Sequence, residues 1–291
     1  MSGNINWFPG HMKKALDGIR EHLKQVDVVI ETADSRIPSS SRNPVLRSVL
    51  DDKPSLLLLS KSDLADPEVT AQWMQYFDDQ HVRVLAVDAR NRRDLRGVET
   101  LIDELARPAL ERAGRRGMSG RTPRVMVTGI PNTGKSSLIN ALTKRHAMTT
   151  SDRPGVTRGA TWVRNRDQRA EWLDTPGVLW PKLETQTEQV NLGATGAIRD
   201  QVLPLEDVAY FLLVYLLEHY REDTVQRYKL RHPDEEPYEV FLEAARNRGC
   251  IMSGGRVDQL RFATLLLDEF RAGTIGRISL ERPSDYDDPE A

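Results

Sequence analysis

RVMVTGIPNTGKSSLINAL, residues 124–142, is the most informative part of this chain. Gly129, Gly134, Lys135 and Ser136 satisfy the pattern G-x-x-x-x-G-K-[ST], with an apolar run before it and an apolar helical pattern after it. Glycines let backbone N–H groups turn toward phosphate oxygens, and the helix N-terminus adds partial positive charge. We predict a phosphate-binding loop in which Lys135 neutralises the β- and γ-phosphates and the Ser136 hydroxyl ligates Mg²⁺. The other loop residues that we expect to bind nucleotide are Pro131, Asn132, Thr133 and Ser137.

Two downstream segments complete the predicted phosphate site. DTPG, at residues 174–177, ends an expected strand, where Asp174 can hold Mg²⁺ through water and the Gly177 N–H can sense the γ-phosphate. RPGVTRG, at residues 153–159, has no apolar periodicity and carries one hydroxyl, on Thr157, that can complete the Mg²⁺ shell. A solvated loop residue is the alternative interpretation of Thr157.

A base-reading motif precedes the phosphate loop, although the opposite order is usual. SKSD, at residues 60–63, follows an apolar run, and ligands bind at strand ends in open α/β sheets. Asp63 can accept hydrogen bonds from guanine N1–H and N2–H₂, a donor pair that adenine lacks. The Lys61 stem can cover the base, and the Ala89 backbone can touch guanine O6. The residues that we expect around the base are Lys61, Asp63, Leu64, Asp88 and Ala89. An accidental K-x-D is the alternative interpretation.

The apolar pattern predicts a doubly wound, mostly parallel α/β sheet. Buried strands are expected at residues 26–34, 55–63, 82–89 and 124–130. Helices are expected between them, at residues 12–25, 43–50, 67–77 and 98–110. Residues 159–165 and 169–177 indicate an antiparallel edge hairpin.

The rest of the chain indicates a linker and a second domain. Residues 112–124 are rich in glycine and arginine and are typical of an exposed linker. After the sheet only helical patterns occur, so we expect a P-loop domain at residues 1–183 and a small all-α domain at residues 184–291. The acidic end, RPSDYDDPEA at residues 282–291, is typical of a disordered tail.

Composition limits the class of protein. The 291 residues are 39% hydrophobic and 29% charged, as in a water-soluble domain with a core. A net charge of −2 means that nucleic-acid contact requires a local basic patch. A single cysteine, Cys250, excludes an internal disulfide and a zinc site built from cysteine pairs. With no signal peptide and no apolar run that spans a bilayer, we expect a cytoplasmic protein without a membrane partner.

Taken together, these motifs resemble those of the circularly permuted GTPases, and in particular the ribosome biogenesis GTPase A family. The resemblance covers nearly the whole chain. It rests on NWFPGHM (6–12), DSRIPSSSRNP (34–44), SKSD (60–63), GIPNTGKSSLIN (129–140), RPGVT (153–157) and DTPGV (174–178). In that family the guanine-reading motifs precede the phosphate loop, as they do here. The linker lies where the original chain ends must be joined, which is a cheap change because loop entropy grows slowly with length.

The resemblance implies a GTP-binding and GTP-hydrolysing switch with GTP and Mg²⁺ as its ligands. It further implies action in late assembly of the large ribosomal subunit, stimulation by the ribosomal particle, and binding of ribosomal RNA by the helical domain. The basic residues that we expect to serve this contact are Arg221, Arg227, Lys229, Arg231 and His232. We expect a monomer when the protein is free, and no DNA partner.

Catalysis requires a residue that orients the attacking water. Many GTPases use a glutamine after D-x-x-G, but Val178 stands there and offers no side-chain hydrogen bond. The resemblance implies that His11 supplies this function once the particle orders the N-terminus; a surface or capping histidine is the alternative. Asn132 matches an asparagine that helps to hold K⁺, the alternative being a turn former. The expected catalytic residues are His11, Lys135 and Thr157.

Two departures from the family pattern concern the nucleotide site. Ser60 replaces the usual Asn or Thr, and its shorter side chain is expected to weaken the bracing of the phosphate loop. Asp88 replaces the usual Ser before Ala89, which adds a carboxylate beside the base. A nucleotide-gated RNA-binding module with negligible hydrolysis remains an alternative function, and a P-loop ATPase remains a third.

Overall fold

The structure, a computed structural model, describes residues 10–50, 53–143, 160–164, 169–180, 183 and 185–286, with backbone only for residues 10–13. Its strands are β1 (Val28–Asp34), β2 (Ser55–Ser60), β3 (Val84–Val87), β4 (Arg124–Gly129), β5 (Thr161–Arg164) and β6 (Glu171–Asp174). They form one sheet in the order β3-β2-β1-β4-β6-β5. Neighbouring strands are parallel except β5 and β6, which are antiparallel. The predicted parallel sheet and edge hairpin are confirmed.

The helices flank and follow this sheet. Those before β6 are α1 (Gly10–Leu23), α2 (Pro44–Leu50), α3 (Pro67–Asp79), α4 (Arg92–Arg115) and α5 (Lys135–Thr143). Those after it are α6 (Gln186–Ala194), α7 (Leu205–His219), α8 (Arg221–Tyr228), α9 (Pro237–Asn247) and α10 (Gln259–Arg271). Within the described ranges no helix has both the length and the apolar character needed to cross a bilayer.

The sheet is buried on both faces because its apolar residues alternate between two packed layers. Val29 and Met126 belong to a cluster that includes α1 and α2, whereas Ile30 and Val127 belong to one that includes α4 and α5. All seven residues of β1 are buried at the centre of the sheet, including the polar residues Glu31, Thr32 and Asp34.

The core on the α1 side continues into the C-terminal helices. The same cluster of buried residues that holds Leu16 and Val29 also holds Leu213, Phe262 and Leu266. The helices after residue 184 therefore pack directly against the rest of the molecule through apolar surface.

Helix α4 is longer than expected, and the linker is correspondingly shorter. The helix begins after Asn91, whose side chain accepts a hydrogen bond from the Arg93 N–H, and continues past Pro108 to Arg115. It thus includes the first part of the predicted linker. The remainder contains Gly117 and Gly120, both with positive φ, before β4 begins.

The C-terminal segment packs against α3, which corrects the expected disorder for residues 282–286. Trp73 of α3 donates from Nε1 to Glu281 O at 3.0 Å, and its ring contacts Tyr286 with centroids 5.5 Å apart. Residues 283–285 form a turn of 3₁₀-helix, and residues 287–291 lie outside the described residues. Aromatic contact on α3 stabilises a segment whose composition alone is typical of disorder.

Just before this turn, the chain forms two backbone hydrogen bonds with the loops at the ends of β1 and β2. The Ile278 N–H donates to Leu64 O at 2.9 Å, and the Leu280 N–H donates to Arg36 O at 2.8 Å. We call residues 276–281 the C-terminal strap.

Candidate active site

The phosphate loop joins β4 to α5 in the strand–loop–helix context that the motif requires. Gly129 has a φ of 145°, and a Cβ there would lie 2.4 Å from Thr32 O and 2.6 Å from Thr32 Oγ1. Gly134 also has a positive φ, of 77°. Glycine is therefore required at Gly129 both by the backbone conformation and by the close approach of β1.

Lys135 is buried at the start of α5. Its Nζ donates to Ile130 O at 2.6 Å, across the mouth of the phosphate loop. Burial lowers the pKa of Lys135 to about 8, against the attraction of Asp174, which raises it. A bound phosphate group would raise the pKa of Lys135 again, because an opposite charge stabilises the ammonium.

Ser60 braces the phosphate loop despite its short side chain. Its Oγ lies 2.8 Å from Thr133 O and 2.9 Å from Ala33 O, and it can donate to either. Thr133 is held a second time, because its Oγ1 lies 2.7 Å from Thr32 Oγ1. The loss of reach expected for Ser60 does not occur here, since β2 brings the hydroxyl directly under the loop.

Ser136 and Asp174 form a small polar pair near Lys135. Ser136 Oγ donates to Asp174 Oδ2 at 3.1 Å, and Asp174 Oδ1 is buried without a hydrogen-bond partner among the described residues. Burial raises the pKa of Asp174, and Lys135 offsets this only in part. A buried carboxylate oxygen without a partner fits a cation ligand.

Ser136 and Asp174 fit Mg²⁺ better than a metal ion whose ligands all come from the protein. Within the part of the chain that the structure describes, no group of three or more His, Cys, Asp or Glu side chains could hold a metal ion. Mg²⁺ typically takes one or two protein ligands and completes its shell with phosphate and water. The expected third contributor, Thr157, lies outside the described residues.

The DTPG segment packs tightly on the phosphate loop. A Cβ at Gly177 would lie 2.7 Å from both the N and the Cα of Pro131. The next residue, Val178, is fully buried; its N–H donates to Gly129 O at 3.2 Å and its carbonyl accepts from Asn43 Nδ2 at 2.8 Å. Val178 therefore belongs to the core.

One cavity of about 250 Å³ brings the two separated motifs together. The SKSD side contributes Lys61, Asp63 and Leu64, the VDAR side contributes Asp88, Ala89 and Arg90, and the phosphate loop and α5 contribute Gly134 and Ser137. Residues that are far apart in the chain thus line a single pocket of the size of a nucleobase and its sugar. The pocket lies at the carboxyl ends of parallel strands, as ligand pockets do in such sheets.

Asp63 meets an arginine that the sequence analysis did not associate with the base. Arg90 Nη2 lies 2.5 Å from Asp63 Oδ2, and Arg90 Nε donates to Asp88 Oδ1 at 3.0 Å. The added carboxylate of Asp88 is therefore turned toward Arg90. Asp63 and Arg90 are 27 residues apart, and only the pairing of β2 with β3 brings them together.

Lys61 is held by a buried network that sequence reasoning also missed. Its Nζ lies 3.0 Å from Asp34 Oδ2, and Asp34 accepts two hydrogen bonds from the Arg36 side chain, at 2.9 and 2.8 Å. Burial alone would raise the pKa of Asp34, but the charges of Arg36 and Lys61 hold it well below its usual value. The signal was present as the motif DSRIP, which carries both Asp34 and Arg36.

Asn132 and His11 are both expected near the phosphates, but the structure describes the side chain of Asn132 only. Asn132 donates from Nδ2 to Thr195 O at 3.1 Å, which links the phosphate loop to the end of α6. His11 falls in the first turn of α1, but its side chain lies outside the described residues.

Comparison with known proteins agrees with this geometry. A family model described as 50S ribosome-binding GTPase matches residues 124–243. Ribosome biogenesis GTPase A of Priestia megaterium is 42% identical over 286 residues, covering 98% of this chain and 99% of that protein. Mitochondrial ribosome-associated GTPase 1 of Mus musculus is 34% identical over 300 residues, covering 95% and 90%.

Solved structures give the same result for the fold. GNP-bound YlqF from T. maritima matches with a TM-score of 0.64 at 25% identity, covering 93% of this chain and 98% of that one. A GDP-bound YlqF structure matches with a TM-score of 0.65 at 25% identity, covering 92% and 99%. The order of the motifs is thus that of a circularly permuted GTPase, and the ATPase alternative is wrong.

The pocket, the phosphate loop and these relatives lead to one conclusion. The chain hydrolyses GTP, a reaction that typically uses Mg²⁺, and it acts in ribosome assembly. It belongs to the ribosome biogenesis GTPase A family of circularly permuted GTPases.

Proposed function

We propose that this GTPase is a switch for late assembly of the large ribosomal subunit and that the ribosomal particle stimulates its turnover. The observation that carries the proposal is the buried Val178, which occupies the position of the usual water-orienting residue. A group from elsewhere must then orient the water. The description of the matched family model, 50S ribosome-binding GTPase, supports the large subunit as the partner.

In this proposal the phosphates lie in the loop between β4 and α5. Lys135 neutralises charge on the β- and γ-phosphates, backbone N–H groups from Asn132 to Ser137 cradle them, and the Gly177 N–H senses the γ-phosphate. Ser136, Asp174 and Thr157 hold the metal. When bound, Mg²⁺ neutralises charge that develops on the phosphate oxygens.

In the same proposal, the base lies in the cavity that Asp63 helps to line. Its carboxylate accepts from the guanine edge, Lys61 covers the ring, and the Ala89 backbone and Leu64 border it. Asp63→Asn replaces one acceptor by an amide donor, so guanine preference over adenine should fall by at least tenfold. Competition of GDP and ADP for a fluorescent nucleotide measures this. If the parent binds ADP as tightly as GDP, Asp63 does not read the base.

His11 is the proposed water-orienting residue. It lies at the start of α1, and a neutral imidazole both donates and accepts near neutral pH. A K⁺ ion at Asn132 is part of the same proposal. Its ligand would be Oδ1, the acceptor of the amide, while Nδ2 donates to Thr195 O.

The helical part, residues 184–291, is the proposed RNA-binding domain. Lys229, Arg231 and His232 are exposed, which suits contact with phosphates. Arg221 and Arg227 are paired with Asp234 and Glu269 in the free protein and contribute less. We further propose a cytoplasmic monomer that binds the large-subunit precursor and its ribosomal RNA, without a DNA or membrane partner.

Phosphate release under multiple turnover tests the function. We expect slow release by the protein alone and a rate at least tenfold higher with large ribosomal subunits, whereas small subunits at equal concentration should give no increase. His11→Ala should keep parental GDP affinity and lose the stimulation. Equal rates with and without large subunits would contradict stimulation of turnover by the particle.

Salt dependence distinguishes an RNA contact from a protein contact. Neutralisation of phosphates by Lys and Arg releases counterions, so co-sedimentation with large subunits should weaken steeply as salt is raised. Charge reversal of Lys229 and Arg231 should reduce the slope, while reversal of the already paired Arg227 should mainly reduce stability. A flat response to salt would indicate a protein partner.

A further inference from the structure

The Arg90 guanidinium lies where the guanine edge is expected. Arg90 Nη2 is 2.5 Å from Asp63 Oδ2, inside the same cavity that the phosphate loop borders. The Arg90 side chain is 75% exposed, so its position is not imposed by packing in a core. It is instead held by the two carboxylates of Asp63 and Asp88.

The guanidinium of arginine and the N1–C2–N2 edge of guanine have the same chemistry. Each is a planar unit that presents adjacent N–H donors to a carboxylate. Guanine needs both oxygens of Asp63, one for N1–H and one for N2–H₂. We propose that Arg90 is a specificity-determining residue that pairs with Asp63 Oδ2 when no nucleotide is bound and must release it when the guanine 2-amino group binds.

This inference rests on the proposed role of Asp63 and adds a competitor for it. Hypoxanthine, the base of inosine nucleotides, keeps N1–H but lacks the 2-amino group. It uses one oxygen of Asp63 and leaves Oδ2 to Arg90. Arg90 therefore weakens the binding of guanine but not that of hypoxanthine, which makes the preference for guanine over hypoxanthine smaller.

Asp88 provides the anchor that keeps Arg90 at the pocket. Arg90 Nε and Nη2 lie 3.0 and 3.2 Å from the two oxygens of Asp88, and the Arg90 N–H donates to Asp88 Oδ1 at 2.9 Å. Partial burial alone would raise the pKa of Asp88, but the hydrogen bonds from Arg90 hold it below its usual value. The carboxylate that departs from the usual family pattern thus has a specific partner.

The size of the effect follows from the exposure of the pair. An exposed ion pair contributes about 0.2–1 kcal/mol, which corresponds to a factor of about 1.4 to 5 in a binding constant. Removal of Arg90 frees Asp63 when no nucleotide is bound. GDP should then bind about 1.4- to fivefold more tightly, whereas the affinity for inosine diphosphate should not change.

Isothermal titration calorimetry with GDP and inosine diphosphate tests this on the full chain. Arg90→Ala is compared with the parent and with Arg93→Ala, which removes an exposed arginine from the first turn of α4. We expect Arg90→Ala to increase the dissociation constant of inosine diphosphate relative to that of GDP by about 1.4- to fivefold, through GDP alone. Arg93→Ala should leave this ratio constant.

Each other outcome overturns the inference. Unchanged GDP affinity would mean that Arg90 does not compete for Asp63. An equal change for both nucleotides would indicate a general electrostatic or structural role, as would the same increase in Arg93→Ala. If the parent shows no preference for GDP over ADP, Asp63 does not read the base, and the inference about Arg90 fails with it. If the parent clearly prefers GDP over ADP but Arg90→Ala leaves the ratio of the inosine diphosphate and GDP dissociation constants unchanged, only the inference about Arg90 fails.

Discussion

Replacement of Gly177 by alanine should disturb the phosphate site through a single methyl group. The backbone at Gly177 does not have a positive φ, so alanine meets no conformational penalty there. The added Cβ would lie 2.7 Å from Pro131 N and Cα and 3.0 Å from its Cγ. All three atoms belong to a proline of fixed φ in the phosphate loop, so the contact cannot be relieved by rotation of a side chain.

The expected magnitude follows from the cost of overpacking. Ordinary contacts of a Cβ begin at about 3.4 Å, so one of the two loops must move by several tenths of an ångström. Insertion of a methyl group into a packed region costs about 1–3 kcal/mol, equivalent to roughly 5- to 150-fold in affinity. Because the Gly177 N–H is expected to contact the γ-phosphate, a non-hydrolysable GTP analogue should lose more affinity than GDP.

Calorimetry with both nucleotides, together with urea unfolding, measures the effect. Gly114→Ala is the matched control, since a Cβ at Gly114 in α4 meets nothing within 4 Å. Equal losses for GDP and the GTP analogue would place the strain elsewhere than at the γ-phosphate. Parental affinity for both nucleotides would refute the reasoning that close packing of Gly177 on Pro131 fixes the relative position of the two loops.

Two further predictions concern buried charges. Because bound phosphate requires the charged lysine, the pKa of about 8 for Lys135 means that GDP affinity should be constant below about pH 8 and fall by up to tenfold per pH unit above it. The lowered pKa also means that the free energy of unfolding of the nucleotide-free protein should rise with pH above 8. Calorimetry in two buffers near pH 8.5 should show proton uptake on GDP binding, and its absence would contradict the pKa shift. Glu281→Ala should cost about 2–4 kcal/mol in urea unfolding, since Ser39 N–H, Ser40 N–H and Asn191 Nδ2 lose their acceptor, whereas the exposed control Glu222→Ala should cost less than about 0.5 kcal/mol.

Much of the sheet could be predicted because local chemistry determines it. Strands buried on both faces favour largely apolar runs, and β1, β2 and β4 lie within the segments that the sequence pattern predicts as buried strands. The phosphate loop was recognisable for a similar reason, since Gly129 and Gly134 both have a positive φ. Helix α4 was predicted too short because its first turns carry mainly charged residues; the Asn91 cap marks its start.

Contacts between distant segments could not be predicted from local pattern. Arg90 meets Asp63 only because β2 and β3 are neighbours, and Lys61 meets Asp34 only because β1 and β2 are. The order of Tyr286 depends on Trp73, which lies on α3 and leaves no mark in the acidic sequence around the tyrosine. Burial of Val178 was likewise hidden, because a valine after DTPG is compatible with a core or a surface position.

The C-terminal strap has a consequence for synthesis of the protein. The strands β1, β2 and β3 are neighbours in the sheet and leave the translating ribosome before the phosphate loop is made. The carbonyls of Arg36 and Leu64, however, receive hydrogen bonds from Leu280 and Ile278, which are translated well after the sheet and the phosphate loop. The residues that line the base pocket are therefore made before the strap, and the loops that carry Arg36 and Leu64 gain these two hydrogen bonds only afterwards.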